Sequence, residues 1–242
     1  MWLIWCVLYG ISTSWMMETP VNIDLSPVTT SHFTENVSVS PTVYDHYEAF
    51  GLQTVLDFEV FELAYEGFQK LQPQRQDRLT IIDFSKPSSE KRMWVLDMQK
   101  HRVIHHTIVS HGRNSGELYA KKFSNIHGSF QSSLGFYKTA HPYQGGNGYS
   151  LVLEGLEKGI NDQAKARAVV MHGADYCSEA IIRQTGRLGR SYGCPALPRE
   201  INKKVIDDIK HGSILFIYAP DATYLAQSKT IKDLRQDQFK TL

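Results

Sequence analysis

Cys194 sits in the stretch "GRSYGCPAL", Gly189 to Leu197, with glycine before it, proline after it, and serine and arginine nearby. Cysteine attacks a carbonyl as the thiolate, so it needs a base for its proton and N–H donors for the oxyanion. Gly193 presents a backbone N–H that a substrate can approach without a Cβ in the way. Arg190 would favour the thiolate and could bind a carboxylate. His172 ends the apolar run "AVVMHG" and precedes Gly173, which puts its ring at a sheet edge. A histidine far from a single cysteine in sequence, but able to meet it in space, is the generic cysteine–histidine signature. Free cysteine is among the most buried residue types, so core packing is the ordinary fate of a thiol. The polar, Gly-flanked setting of Cys194 favours chemistry; Cys177, beside Tyr176 at a helix start, reads as core. A Cys177–Cys194 disulfide would silence the site and stays open as a form of regulation.

The run "HRVIHHTIVSH" suggests metal binding at first sight. On a strand His105 and His106 point to opposite faces, and the run has no recognised zinc spacing, so no metal is expected. Arg167 could pair with a substrate carboxylate or with a neighbouring Asp, the structural salt bridge being the favoured reading, and Arg187 reads as a charge at a helix end.

The elements that must carry these residues follow from pattern. The chain has 242 residues, 42% hydrophobic and 21% charged, with a net charge of +1, a globular composition with no field suited to nucleic acid. Residues 1–17 open with an apolar run that is too short for a bilayer-spanning helix of about 20 residues and suits a secretory signal. A membrane-surface anchor or a buried strand is the alternative. No integral span is expected in the mature chain. Residues 18–48, rich in Thr, Ser, Pro and Val, read as a linker. Residues 49–75 read as a helical preface, with Leu52, Leu56, Val60 and Leu63 on one side and Pro73 at its end. From 76 to 226 the pattern is short strands ("RLTIIDFS", "RMWVLDM", "RVIHHTIVS", "AVVMHG", "SILFIYA") separated by polar, Gly-rich loops such as "SNIHGSFQSSLGFY" and "YQGGNGYS". Two short helices are expected, one capped by Ser178 and stopped near Gly186, the other from about Pro198 to Lys210. Residues 227–242 read as a C-terminal tail. The fold class is α+β and β-rich, either a sandwich or a mixed sheet, with a few short helices.

The order His172-Gly173, Gly189, Ser191, Gly193, Cys194 resembles the catalytic stretch of L,D-transpeptidases, in particular the murein L,D-transpeptidase catalytic domain proteins. The similarity extends through "VSHGRNSG", "FSNIHGSFQSSLGFY", "YQGGNGYSLVLEGLEKGIND" and "ARAVVMHGADY", roughly Leu79 to Tyr218. Tyr192 stands where the general family has histidine, and Pro195 and Ala196 stand where it has an apolar residue and then arginine. The resemblance implies a cysteine-dependent acyltransferase of the bacterial cell envelope, exported and periplasmic, acting on peptidoglycan stem tetrapeptides without metal or organic cofactor. Cys194 would attack the carbonyl of the third residue, D-Ala would leave, and an amine would resolve the thioester to a 3–3 cross-link. His172 would be the base, and the N–H groups of Gly193 and Cys194 the oxyanion donors. Arg190, Ser191 and Tyr192 are candidate substrate contacts, with weaker candidates in Ser133, Gly135, Tyr149 and His111. With water as acceptor the same pair makes an L,D-carboxypeptidase or amide hydrolase. A non-catalytic wall-binding module is the alternative from another class.

Overall fold

The computed structural model describes residues 41–240, with side chains to 236. The expected signal segment and most of the expected linker lie outside the described residues. The linker's last residues do not form a linker. Thr42 caps helix α1 (Val43–Ala49) with a capping box: its side chain accepts from the Asp45 N–H, and the Asp45 carboxylate accepts from the Thr42 N–H at 2.7 Å. A Thr-x-x-Asp box is a helix start that the Thr- and Pro-rich composition around it masked.

Helix α2 (Phe58–Leu71) starts at the Asp57 cap and ends at Gln72 in the left-handed region, one residue before Pro73. Leu52 and Leu56 lie in the turn before it rather than on it, and both are buried. Strands β1 (Arg78–Asp83), β2 (Met93–Asp97) and β3 (Arg102–Thr107) follow. The next two, β4 (Gly135–Gly145) and β5 (Gly148–Gly155), form a long hairpin where sequence pattern suggests loops. Its turn is the two-residue Gly146-Asn147, between the paired Gly145 and Gly148. Then come β6 (Val170–Gly173), helix α3 (Glu179–Thr185), the two-residue β7 (Ala196–Leu197), helix α4 (Arg199–Ile209) and β8 (Ile214–Tyr218). Ser178 and a left-handed Gly186 bound α3 as expected. Residues 227–242, expected as a tail, are largely helical: α5 (Ala222–Gln227) leads into α6 (Lys229–Lys240). The Ser228 hydroxyl accepts from the Ile231 N–H, and Ile231 and Leu234 are buried.

The strands make one mixed sheet in the order β3-β2-β1-β8-β4-β5-β6-β7. Contacts between β1 and β8 and between β6 and β7 are parallel; the other pairs are antiparallel. The two ends of the sheet approach each other. Ser110, just past edge strand β3, bridges Ala196 of the opposite edge strand β7, with its N–H donating to the Ala196 carbonyl at 2.8 Å. The sheet is therefore curled, which is the mixed-sheet form of the expected α+β domain.

Helix α2 covers one face of this sheet. Phe136 of β4 stacks on Phe216 of β8, centroids 4.3 Å apart, and Gly67 of α2 sits directly over Phe136. A Cβ at Gly67 would come within 2.1 Å of that ring. Close packing of this kind has no room for an added methyl without displacing the helix. No helix among the described residues is long and apolar enough to cross a membrane.

Candidate active site

His172 is the penultimate residue of strand β6, and the loop leading into β7 carries Cys194. Parallel pairing of these strands sets His172 opposite Ala196, and the His172 N–H donates to the Pro195 carbonyl at 3.4 Å. Backbone register thus brings the histidine alongside the residues that follow the cysteine. His172 is 5% exposed. Its Nδ1 lies 3.1 Å from the Gly173 carbonyl oxygen, which can only accept. Nδ1 therefore carries the proton, and Nε2 keeps its lone pair. Burial pushes the imidazole below its ordinary pKa; the Gly173 carbonyl opposes this and Arg199 adds to it. The ring is neutral at pH 7.

Cys194 is half-buried. Its sulfur accepts from the Val170 N–H at 3.4 Å and lies 3.7 Å from the Ala168 carbonyl oxygen. Burial pushes the thiol above its ordinary pKa, against the opposing effects of the Val170 N–H and the Arg167 guanidinium. Ala168 holds a left-handed φ of 55°, rare for a residue with a Cβ. Such strain costs of order 1–2 kcal/mol and gathers at functional sites.

Gly193 has φ of 123°, and a Cβ there would meet the Gln131 carbonyl oxygen at 2.8 Å. Only glycine suits this position. Its N–H, expected to face an oxyanion, donates instead to Ser191 Oγ at 3.0 Å. Ser191 is itself buried, and its hydroxyl donates to the Cys194 carbonyl at 2.6 Å. That hydroxyl shapes the loop that carries Cys194 from within. Gly189, the earlier glycine of the motif, lies against Tyr176, where a Cβ would come within 2.4 Å of the Tyr176 Cβ.

The remaining residues singled out from sequence divide sharply. Tyr192 is 67% exposed on the rim of the loop. Arg190 is paired with Glu117 at 2.5 Å and donates to the carbonyls of Arg113 and Gly116, tying down the loop that precedes Tyr119. Arg187 reaches the same Glu117 at 2.9 Å. Ser133 is buried, accepting from Arg167 and donating to the Ser124 carbonyl. Gly135 opens β4 with φ of 99°, packed against the buried Glu157 carboxylate. Tyr149 donates its phenol to Asp207 of α4 at 2.7 Å. His111 is buried behind the site, accepting from Arg92 at 2.8 Å while its Nε2 faces the Gly116 carbonyl. Burial, then the Arg92 charge, drives the His111 imidazole down to about 3, so it is a neutral structural group. Cys177 is fully buried among Ile108, Ala174, Leu188 and Ala196, and both described cysteines are free thiols. His105 pairs with Asp208 at 2.6 Å, while His106 stacks on Trp94. No cluster of three or more metal-ligating side chains occurs among the described residues.

Arg167 is the residue that sequence pattern undervalued. Expected in a salt bridge, it has no carboxylate partner among the described residues. Its Nη1 donates to the Ser124 carbonyl and Ser133 Oγ, each at 2.6 Å, and its Nη2 to the Gln131 carbonyl at 2.7 Å. Nη2 would lie 3.5 Å from a Cβ at Gly193. All these partners are neutral oxygens, so the positive charge is left to act on the adjacent sulfur. An apolar groove of about 370 Å³, lined by His141, Tyr143, Val152, Lys165 and Ala168 to Val170, opens beside the backbone that holds that sulfur.

A family model described as the L,D-transpeptidase catalytic domain matches residues 52–218. The chain belongs to this L,D-transpeptidase family. No curated protein sequence matches it. Among solved structures, an L,D-transpeptidase from Mycobacterium smegmatis is 13% identical over 59% of this chain and 59% of its own, with a TM-score of 0.37. The helical cell shape determining protein Pgp2 from Campylobacter jejuni is 14% identical over 69% of this chain and 56% of its own, with a TM-score of 0.41. An L,D-transpeptidase from Stackebrandtia nassauensis is 13% identical over 74% of this chain and 77% of its own, with a TM-score of 0.37. The chain thus spans little more than half the length of the first two of these structures. The family match begins at 52, inside the expected helical preface, so most of that preface belongs to the family domain.

Proposed function

We propose that the chain is an exported peptidoglycan L,D-transpeptidase that uses Cys194 as nucleophile and His172 as base. The observation that carries this reading is the β6–β7 pairing, which runs His172 beside the segment just after Cys194. In the resting site both groups are neutral, since burial raises the thiol pKa and lowers that of the imidazole. Proton transfer therefore accompanies attack. His172 Nε2 takes the Cys194 proton as sulfur bonds to the carbonyl carbon of the stem's third residue. The oxyanion that forms is met by the Cys194 N–H, which enters no hydrogen bond among the described residues, while the nearby Arg167 charge favours the negative state. The C–N bond to D-Ala then breaks, and the imidazolium returns its proton to the departing amine. An amine of a neighbouring stem attacks the thioester and loses its proton to His172. The thiolate leaves and recovers that proton, completing a 3–3 cross-link. The apolar groove along Ala168 to Val170 is suited to the aliphatic part of the donor stem.

Incubation of the purified protein with isolated cell wall, followed by separation of muropeptides, tests this reading. Cross-linked dimers are expected. Shortened monomers alone would mean that water is the acceptor and the enzyme is an L,D-carboxypeptidase or amide hydrolase. An unchanged profile would support the wall-binding module.

A further inference from the structure

Three arginines near the nucleophile loop have different fates. Arg190 is neutralised by Glu117, and Arg167 is enclosed by oxygens of the 124–133 segment. Arg113 makes no side-chain hydrogen bond or ion pair among the described residues, and it is exposed. Its guanidinium is nevertheless held in place. Its central carbon lies 5.8 Å from the Phe130 ring centroid and 5.7 Å from that of Tyr192, and those two rings are themselves 4.8 Å apart. A guanidinium held by cation–π attraction to aromatic rings keeps its N–H donors free to bind a carboxylate through two parallel bonds.

The backbone under this group is fixed. The Arg113 N–H donates to the Ser191 carbonyl at 2.7 Å, and the Asn114 N–H to the Phe130 carbonyl at 3.1 Å. Phe130 holds φ of 55°, a strained conformation for an aromatic residue, and is 40% exposed. A large ring kept exposed on a strained backbone, beside a second exposed ring two residues from the nucleophile, has no evident packing role. It does pre-orient a cation.

We infer that Arg113, Phe130 and Tyr192 form a subsite for a carboxylate of the peptide substrate. This rests on the transpeptidase reading of the site. A stem peptide offers two sources of that group: the α-carboxylate of its terminal D-Ala, or a side carboxylate of its diamino acid. Tyr192, at the position where related enzymes carry histidine, then serves as a platform for the guanidinium.

The test is binding to the full-length Cys194→Ala protein, which does not depend on turnover. The probes are a stem tetrapeptide, the same peptide amidated at its C-terminus, and the same peptide amidated at the diamino-acid side chain. Calorimetry should show that Arg113→Gln weakens the unmodified peptide about tenfold or more, the scale of a lost charge-assisted contact. One of the two amidated peptides should bind the parent protein correspondingly weakly and lose nothing further in Arg113→Gln; which one identifies the carboxylate. Tyr192→Phe should keep the affinity, and Tyr192→Ala should weaken it, because the ring face is what matters. Equal losses for all three peptides in Arg113→Gln, no loss for any, or no saturable binding of the unmodified peptide to the parent would each overturn the subsite. Failure of the enzyme reading shows separately, as intact binding in a wild-type protein that neither shortens nor cross-links muropeptides.

Discussion

The two described cysteines lie in the same stretch of chain, on either side of α3, in opposite surroundings. Cys177 is enclosed by apolar side chains, and burial pushes its thiol up to about 12 against the opposing effects of Ser110 and the Arg92 charge. Cys194 also has a raised pKa, but the residue is half-buried rather than enclosed, its sulfur accepts the Val170 N–H, and the Arg167 cation near it has no carboxylate partner among the described residues. Both thiols feel a hydrogen-bond partner and a cation, and the one with no opening is core. Burial joined to an opening leaves a thiol that is protonated at rest yet reachable from outside, the state that the proposed base would have to activate. The difference lies in access, since both residues are the same chemical group and each has an arginine near it.

The largest effect is expected from Cys194→Ala, which should abolish muropeptide turnover, while Cys177→Ala should leave turnover intact. Full activity in Cys194→Ala would remove the basis for the contrast. Next, His172→Gln should lower kcat by roughly 10²–10⁴-fold, the usual share of general-base catalysis, with a smaller change in KM. The pH profile sharpens the same point. The lowered imidazole pKa keeps His172 neutral at pH 7, so the acid limb of turnover should fall below about 6.5, the ordinary value. The raised thiol pKa means that alkylation of Cys194 by iodoacetamide should keep rising with pH past about 8.5, the value for free cysteine. A rate already on a plateau at pH 7 would instead indicate a thiolate–imidazolium pair. A smaller effect is expected for Arg167→Met, which removes the cation and should slow alkylation of Cys194 several-fold at fixed pH, with Arg167→Lys recovering part of the rate. The smallest is the stability cost of Cys177→Ala, about 1 kcal/mol for a void near the size of one methylene, read from the urea midpoint.

Much of the fold and the centre of the site were legible in the residue pattern. The caps at Ser178 and Gly186 bounded α3, Pro73 marked the end of α2, and the apolar runs marked β1, β2 and β8. Cys194 and His172 stood out because the motif order around them is specific. The β4–β5 hairpin was hidden by its own composition. Much of its outer length faces solvent, a register shift between Thr139 and Pro142 breaks the alternation, and glycines crowd its turn. The Gly146-Asn147 pair was the available signal. Arg167 was misjudged because proximity in sequence is a poor guide where three segments converge. Arg190 is four residues from Cys194, but Glu117 arrives from a separate loop and engages it. Arg167 is far upstream and reaches Gly193 only once the 124–133 segment folds beneath it. Ser191 reads as a substrate contact from its place beside Cys194, and Ser133 from its place in the polar "SSLGFY" segment, yet both hydroxyls are taken by protein groups. Sequence marks a polar group near a reactive one, and only the fold decides whether protein or substrate takes its hydrogen bonds.

The most direct test is to trap the acyl-enzyme. The wild-type protein is mixed with a stem tetrapeptide in the absence of an amine acceptor, quenched in acid within seconds, and measured by intact mass and peptide mapping. The account predicts a mass gain equal to the tripeptide acyl group, located on Cys194, with no label on Cys177 and none in His172→Gln at the same quench time. A stable acyl group on any residue other than Cys194, or turnover by the Cys194→Ala protein, would contradict it.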